Sequence, residues 1–168
     1  MLEVPSVSTR VFSLVESRVC PSTKGEFKRE LGEDETFETD FIGATEDDCT
    51  KWLLDNQYQV KFIQHDILVI ADARSARDDT VLIKAFMHHN FDFDDFGLLP
   101  PTANTWNDFR VHYSGAVEVV VCLGYVSPDC VYPVYFGRKE ELTDENGVFD
   151  VARSKRIIRG ENNDTPQA

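Results

Sequence analysis

The sequence has no apolar stretch near the roughly 20 residues that a membrane-spanning helix needs; runs such as Ile67–Ala71 have the length of a buried strand. The N-terminal segment lacks the unbroken apolar run of a secretory leader, because Pro5, Ser6, Ser8, Arg10 and Ser13 interrupt it. Positive charge is scarce: 17 Lys and Arg stand against 30 Asp and Glu, a net charge of −13. A field of that sign repels a phosphate backbone, which argues against nucleic acid as a partner. The four cysteines, at 20, 49, 122 and 130, form no CxxC pair and no Cys/His spacing suited to zinc. They are expected to be buried free thiols, since neither size nor an export signal calls for the two disulfides an even count would allow.

GxSxG, Walker, GxGxxG and HExxH patterns are missing too, so covalent serine catalysis, phosphate cradling and zinc proteolysis have no motif behind them. No cofactor or metal is expected. There is no internal repeat and no heptad pattern. Together these absences predict a soluble, cytoplasmic protein with neither a membrane nor a nucleic-acid partner.

What is present is enough apolar material for a core: 42% hydrophobic residues over 168 positions, including 12 Phe, 5 Tyr and 2 Trp. The fold class expected is α/β, with mixed α+β as the other form, in one compact domain with a mixed central sheet and a few helices. Residues 1–30 read as an N-terminal arm or edge strand, 31–152 as the globular domain, and 153–168 as a basic and then disordered tail. Charge is uneven. Residues 31–55 hold nine acids and one Lys, whereas 151–168 hold four bases and two acids.

Phe37, Thr39 and Phe41 alternate with acids, the period of a half-buried strand. Thr45 followed by Asp48 marks a helix start, and Cys49, Trp52 and Leu53 give a helix over 46–56 one apolar stripe. Tyr58, Val60 and Phe62 alternate as a further strand. Ile67–Ile70 and Thr80–Phe86 predict buried strands, and the short polar loop 73–79 between them suits antiparallel neighbours and not a crossover. Residues 88–107 read as a long aromatic and acidic loop. Residues 115–124 are ambiguous: the valines favour strand, while Ser114 can cap a helix with Val117, Val120, Val121 and Gly124 as its core face. Val131–Phe136 reads as a strand that Pro133 confines to an edge. Asp144-Glu145-Asn146-Gly147 predicts a turn returning Val148 and Phe149 to the core.

Phe41, Leu68–Asp72, Phe109-Arg110-Val111 and Gly147-Val148-Phe149 occur in an order that resembles a family of small bacterial proteins known only as a domain of unknown function. The resemblance spans roughly residues 34–150 and implies fold, not activity. It also implies a helix after Phe-Arg-Val, which favours helix for 115–124.

Asp72 is the first candidate catalytic residue, because a carboxylate just beyond an aliphatic strand lies where open α/β sheets place ligand-binding groups. His88 and His112, with His65, are candidate acid–base partners, and Arg74, Arg77, Trp106 and Arg110 are candidate ligand-binding residues. The plainer alternative for Asp72 is capping of the loop's own amides together with a local ion pair. His88, His89, Asp92, Asp94 and Asp95 carry ligand types for a divalent cation, but their spacing matches no site, and Phe91, Phe93 and Phe96 pinning the loop to the core is the commoner reading. The leading expectation is an intracellular acidic binding or interaction module for a partner with a basic surface or a small molecule. The alternative is a small cofactor-independent enzyme, an isomerase, lyase or hydrolase, using an Asp/His pair in an aromatic-lined pocket.

Overall fold

The computed structural model describes residues 12–59, 63, 66–87 and 105–161. The chain divides into two compact units, Met1–His65 and Asp66–Ala168.

In the first unit helix α1, Glu46–Asn56, starts where local chemistry requires. The Thr45 hydroxyl accepts from the Asp48 N–H at 3.1 Å, and the Asp48 carboxylate accepts from the Thr45 N–H at 2.9 Å. The buried face is Thr50, Trp52, Leu53 and Asn56, with Cys49 at its margin. Trp52 anchors the unit. Its indole N–H donates to the Arg18 carbonyl at 2.8 Å, its ring stands edge-on to Phe41 at 5.5 Å, and Arg18 lies over Phe41 at 5.1 Å.

The strand expected over Phe37–Phe41 does not form. The Thr39 hydroxyl donates to the Val15 carbonyl at 2.8 Å and Phe41 packs on Trp52, so these side chains serve loop contacts and not a ladder. Among the described residues of the N-terminal arm there is one β-bridge, Leu14 with Lys28. Residues 57–59 form a turn; the strand expected at Tyr58, Val60 and Phe62 otherwise lies outside the described residues.

The second unit is built on a three-stranded antiparallel sheet, β1 Ile67–Ile70, β2 Thr80–Met87 and β3 Thr105–His112, in the order β1-β2-β3. The described fold is mixed α and β, as expected, with all described pairing antiparallel. The expected neighbourhood of β1 and β2 holds, with Val69 opposite Ile83. The connection read as a loop contains a one-turn helix α2, Ser75–Asp78, closed by Asp79 at φ 55°.

Three longer helices follow: α3 Tyr113–Tyr125, α4 Pro128–Tyr135 and α5 Val151–Ile158. The ambiguous segment is therefore helix. It begins ahead of Ser114, with His112 at the cap, and its buried residues are Ala116 and Val119 where Val117, Val120, Val121 and Gly124 were expected. The edge strand expected at Val131–Phe136 is also corrected to helix. Pro128 occupies its first turn, where a missing N–H costs nothing, and burial of Val131, Tyr132, Val134 and Tyr135 on one face outweighs Pro133. Phe109 of β3 lies at the centre of the core, 5.7 Å from Tyr135, 5.6 Å from Phe136 and 5.3 Å from Phe149. The turn at 144–147 forms as expected, with Gly147 at φ 76° and Phe149 buried.

The α5 helix takes in the basic residues Arg153, Lys155 and Arg156, and its start is capped by Asp150, which accepts from the Arg153 N–H at 2.8 Å. All four cysteines are free; Cys130 is exposed and the other three are half-buried. Among the described residues no helix is long and apolar enough to cross a membrane, and no group of His, Cys, Asp or Glu is arranged to hold a metal ion.

Candidate functional site

Pairing sorts the sheet residues into two faces. Ile83, Phe109 and Val111 belong to the buried apolar face, while the other face carries cross-strand pairs of a different kind: Phe86 with Trp106, Lys84 with Asp108, Leu82 with Arg110 and Thr80 with His112. This second face holds most of the polar residues singled out in the sequence.

Asp72 follows β1 closely and its carboxylate is fully engaged. It accepts from the backbone N–H of Arg74 at 3.0 Å and of Ser75 at 2.9 Å, from the Ser75 hydroxyl at 3.1 Å, and from Arg110 at 2.5 and 3.1 Å. Arg110 also donates to the Thr80 hydroxyl at 3.3 Å, and Thr80 donates to Asp78 at 2.5 Å. Asp78 in turn accepts from Arg74 at 2.5 Å, and Arg74 reaches the Asn146 carbonyl at 2.7 Å. One polar chain thus ties β2, β3, α2 and the 144–147 turn together.

The electrostatics follow from this geometry. The Arg110 guanidinium, with the Ser75 N–H and hydroxyl in support, holds the Asp72 carboxyl far below the usual carboxylate range. Thr80 and then Arg74 do the same, less strongly, for Asp78. A general base must exchange its proton near the working pH. Asp72 instead stays ionised as an anchor, and the capping-and-ion-pair alternative describes its contacts.

Lys84 is the second unusual group, since its side chain is only 9% exposed in the middle strand. Its ammonium lies 2.8 Å from Asp108 Oδ1, off the hydrogen-bonding direction, and Asp108 is 46% exposed. Phe86 and Trp106 stack edge-on beside this pair at 5.3 Å.

The other candidates are dispersed. His112 is exposed at the start of α3 with no capping bond from its side chain, and Arg77 is exposed. His65, His88, His89, Asp92, Asp94 and Asp95 lie outside the described residues. The structure joins Asp72 to Arg110 and, through Thr80 and Asp78, to Arg74. Sequence reading missed Thr80, Asp78, Lys84 and Asp108; cross-strand register, which no local pattern encodes, is what brings them together. Between α3, α4 and α5, burial pushes the Cys122 thiol and the Tyr135 phenol upward, so Cys122 is a poor nucleophile.

The first unit presents a different surface. Glu33, Asp34, Glu38 and Asp47 are exposed, and no described residue pairs with their carboxylates. Their neighbours are used internally: Glu35 with Lys28, Asp40 with Ser17 and the Arg18 N–H, and Asp48 with Thr45. These bonds hold the acidic segment in a defined shape. Comparison with protein-family models, curated proteins and solved structures finds no match to this chain.

Proposed function

We propose that the chain is a non-catalytic interaction module whose first unit presents an acidic surface to a basic partner. The observation that carries the reading is the set of exposed carboxylates at Glu33, Asp34, Glu38 and Asp47, unpaired among the described residues on a segment ordered by its other acids. Exposed, unpaired charges of one sign repel one another and so do not help folding, but they raise encounter rates with an oppositely charged surface. What weighs against the enzyme alternative is that Asp72 is committed to Arg110 and to the amides of its own loop.

The test uses a lysine-rich peptide as the probe, titrated calorimetrically against two variants of equal net charge. One carries Glu33→Gln, Asp34→Asn, Glu38→Gln and Asp47→Asn. The other carries Asp129→Asn, Glu140→Gln, Glu145→Gln and Glu161→Gln, all exposed positions of the second unit. Affinity is expected to fall about tenfold or more in the first and to stay near wild type in the second. Equal losses in both would reduce the effect to net charge and overturn the assignment of a surface.

A further inference from the structure

Hydrogen-bond parity fixes which backbone groups of β1 are used. The Phe86 N–H donates to the Asp66 carbonyl at 2.7 Å, and Ile67 lies opposite Ala85. Asp66, Leu68 and Ile70 are therefore the residues whose N–H and C=O groups face β2. Ile67 and Val69 turn theirs away from the sheet, and no described residue bonds them. Ile67 is buried, and Leu68, Val69 and Ile70 are half-buried, so the flank is reachable from the Val69 end of the strand.

The opposite edge of the sheet is handled differently. On β3 the outward Arg110 carbonyl accepts from the Phe149 N–H at 2.7 Å, and Asp108 and Arg110 place charge along the strand. Strand β1 is short, four residues, but otherwise unguarded: its sequence Ile-Leu-Val-Ile contains no Lys, Pro or Gly, and its pairing with β2 has no bulge.

We propose that the open edge of β1 pairs with β1 of a second copy, antiparallel about a two-fold axis through Leu68. In that register Ile67 of one copy faces Val69 of the other, and the reverse, so every outward N–H and C=O of both strands is bonded. Sliding the strands to set Val69 against Val69 puts Ile67 opposite Ala71, which lies beyond the end of the strand. Asp66 falls opposite Ile70, so no like charges oppose each other. The complementarity resides in the chain itself, which is why a second copy is the occupant and not a foreign strand. Each copy carries −13, and salt screens that repulsion, so the dimer tightens as ionic strength rises.

The test is sedimentation velocity of the full chain over a concentration series at low and high salt, with two variants. Val69→Pro removes an N–H that points away from β2, so it spares the internal ladder while blocking the edge. Leu68→Cys sets two thiols across the axis in a non-hydrogen-bonded pair, with Cα atoms about 4.5 Å apart and within disulfide reach. Expected are a wild-type dimer favoured by salt, loss of the dimer in Val69→Pro, and, with the exposed Cys130 replaced by Ser in both proteins, a Leu68→Cys cross-link under mild oxidation that Cys130→Ser alone does not form. A wild type that stays monomeric with no Leu68→Cys cross-link overturns the proposal, as does a folded Val69→Pro that still dimerises.

Discussion

Arg110 grips Asp72 through both terminal nitrogens, at 2.5 and 3.1 Å, across 38 positions of sequence. Arg110 is 10% exposed at its side chain and Asp72 35%, so solvent screens the pair from one side only. The contact joins β3, the last strand of the sheet in chain order, to the loop that leaves β1, and its partners make it a clamp on the 71–79 connection.

Removing the clamp should destabilise the second unit. Asp72→Ala loses the charge-assisted bonds to Arg110 and the loop caps together, a cost of about 2 kcal/mol after allowing for partial exposure. Asp72→Asn, which retains some acceptor capacity, should cost less. Urea denaturation followed by circular dichroism checks the order Ala worse than Asn; equal stability of both with wild type would contradict it.

The same clamp gives a pH dependence. A carboxyl whose folded pKa is depressed contributes stability that is fully present above its unfolded pKa and is lost as pH falls through the folded one. For Asp72 the ordinary value is 3.8 and the folded value lies far below it, chiefly through Arg110. The stability gap between wild type and Asp72→Asn should therefore be constant at neutral pH and shrink steadily below about pH 4. A gap that stays constant down to pH 2 would be the contrary result.

Lys84 and Asp108 should respond unequally. Replacing Lys84 by Met strips the counter-charge from the buried Asp108 Oδ1 but leaves the rest of a half-exposed carboxylate to water, while replacing Asp108 by Asn leaves the almost wholly buried Lys84 ammonium with one counter-charge fewer. Asp108→Asn is expected to cost about 2 kcal/mol and Lys84→Met distinctly less. Chemical denaturation of the two single variants decides the order.

In the first unit the Thr45 hydroxyl caps α1, and Thr45→Ala should cost about 1 kcal/mol. Hydrogen exchange should show the loss first at the amides of the opening turn of α1, with the sheet of the second unit unchanged.

These expectations rest on features of very different legibility. The helix at Glu46–Asn56 was readable because Thr45, Asp48 and the Trp52-Leu53 stripe act within one turn of each other. The pairing of β1 with β2 was readable because a short connection leaves few alternatives. At Phe37–Phe41 the alternating pattern misled, since Phe41 packs on Trp52 and no strand lies alongside. At α4 the proline at 133 drew attention from the i, i+3, i+4 set Val131, Val134 and Tyr135, which is the stripe that the core buries. Asp72 stood out from its place after β1, but its partner did not, because Arg110 reaches it only through the register of β3 on β2. Lys84 gave no signal at all: a lysine inside an aliphatic run reads as an exposed strand position until its cross-strand aspartate is known.

The division of labour between the two units is tested most directly by titrating the lysine-rich peptide into folded Asp72→Asn, well below its melting temperature. An affinity equal to wild type in a protein of lowered stability is the expected result, since Asp72 anchors the second unit and the proposed partner surface is made of carboxylates of the first. Loss of binding with the fold intact would place Asp72 in the recognition surface and contradict its role as an internal anchor.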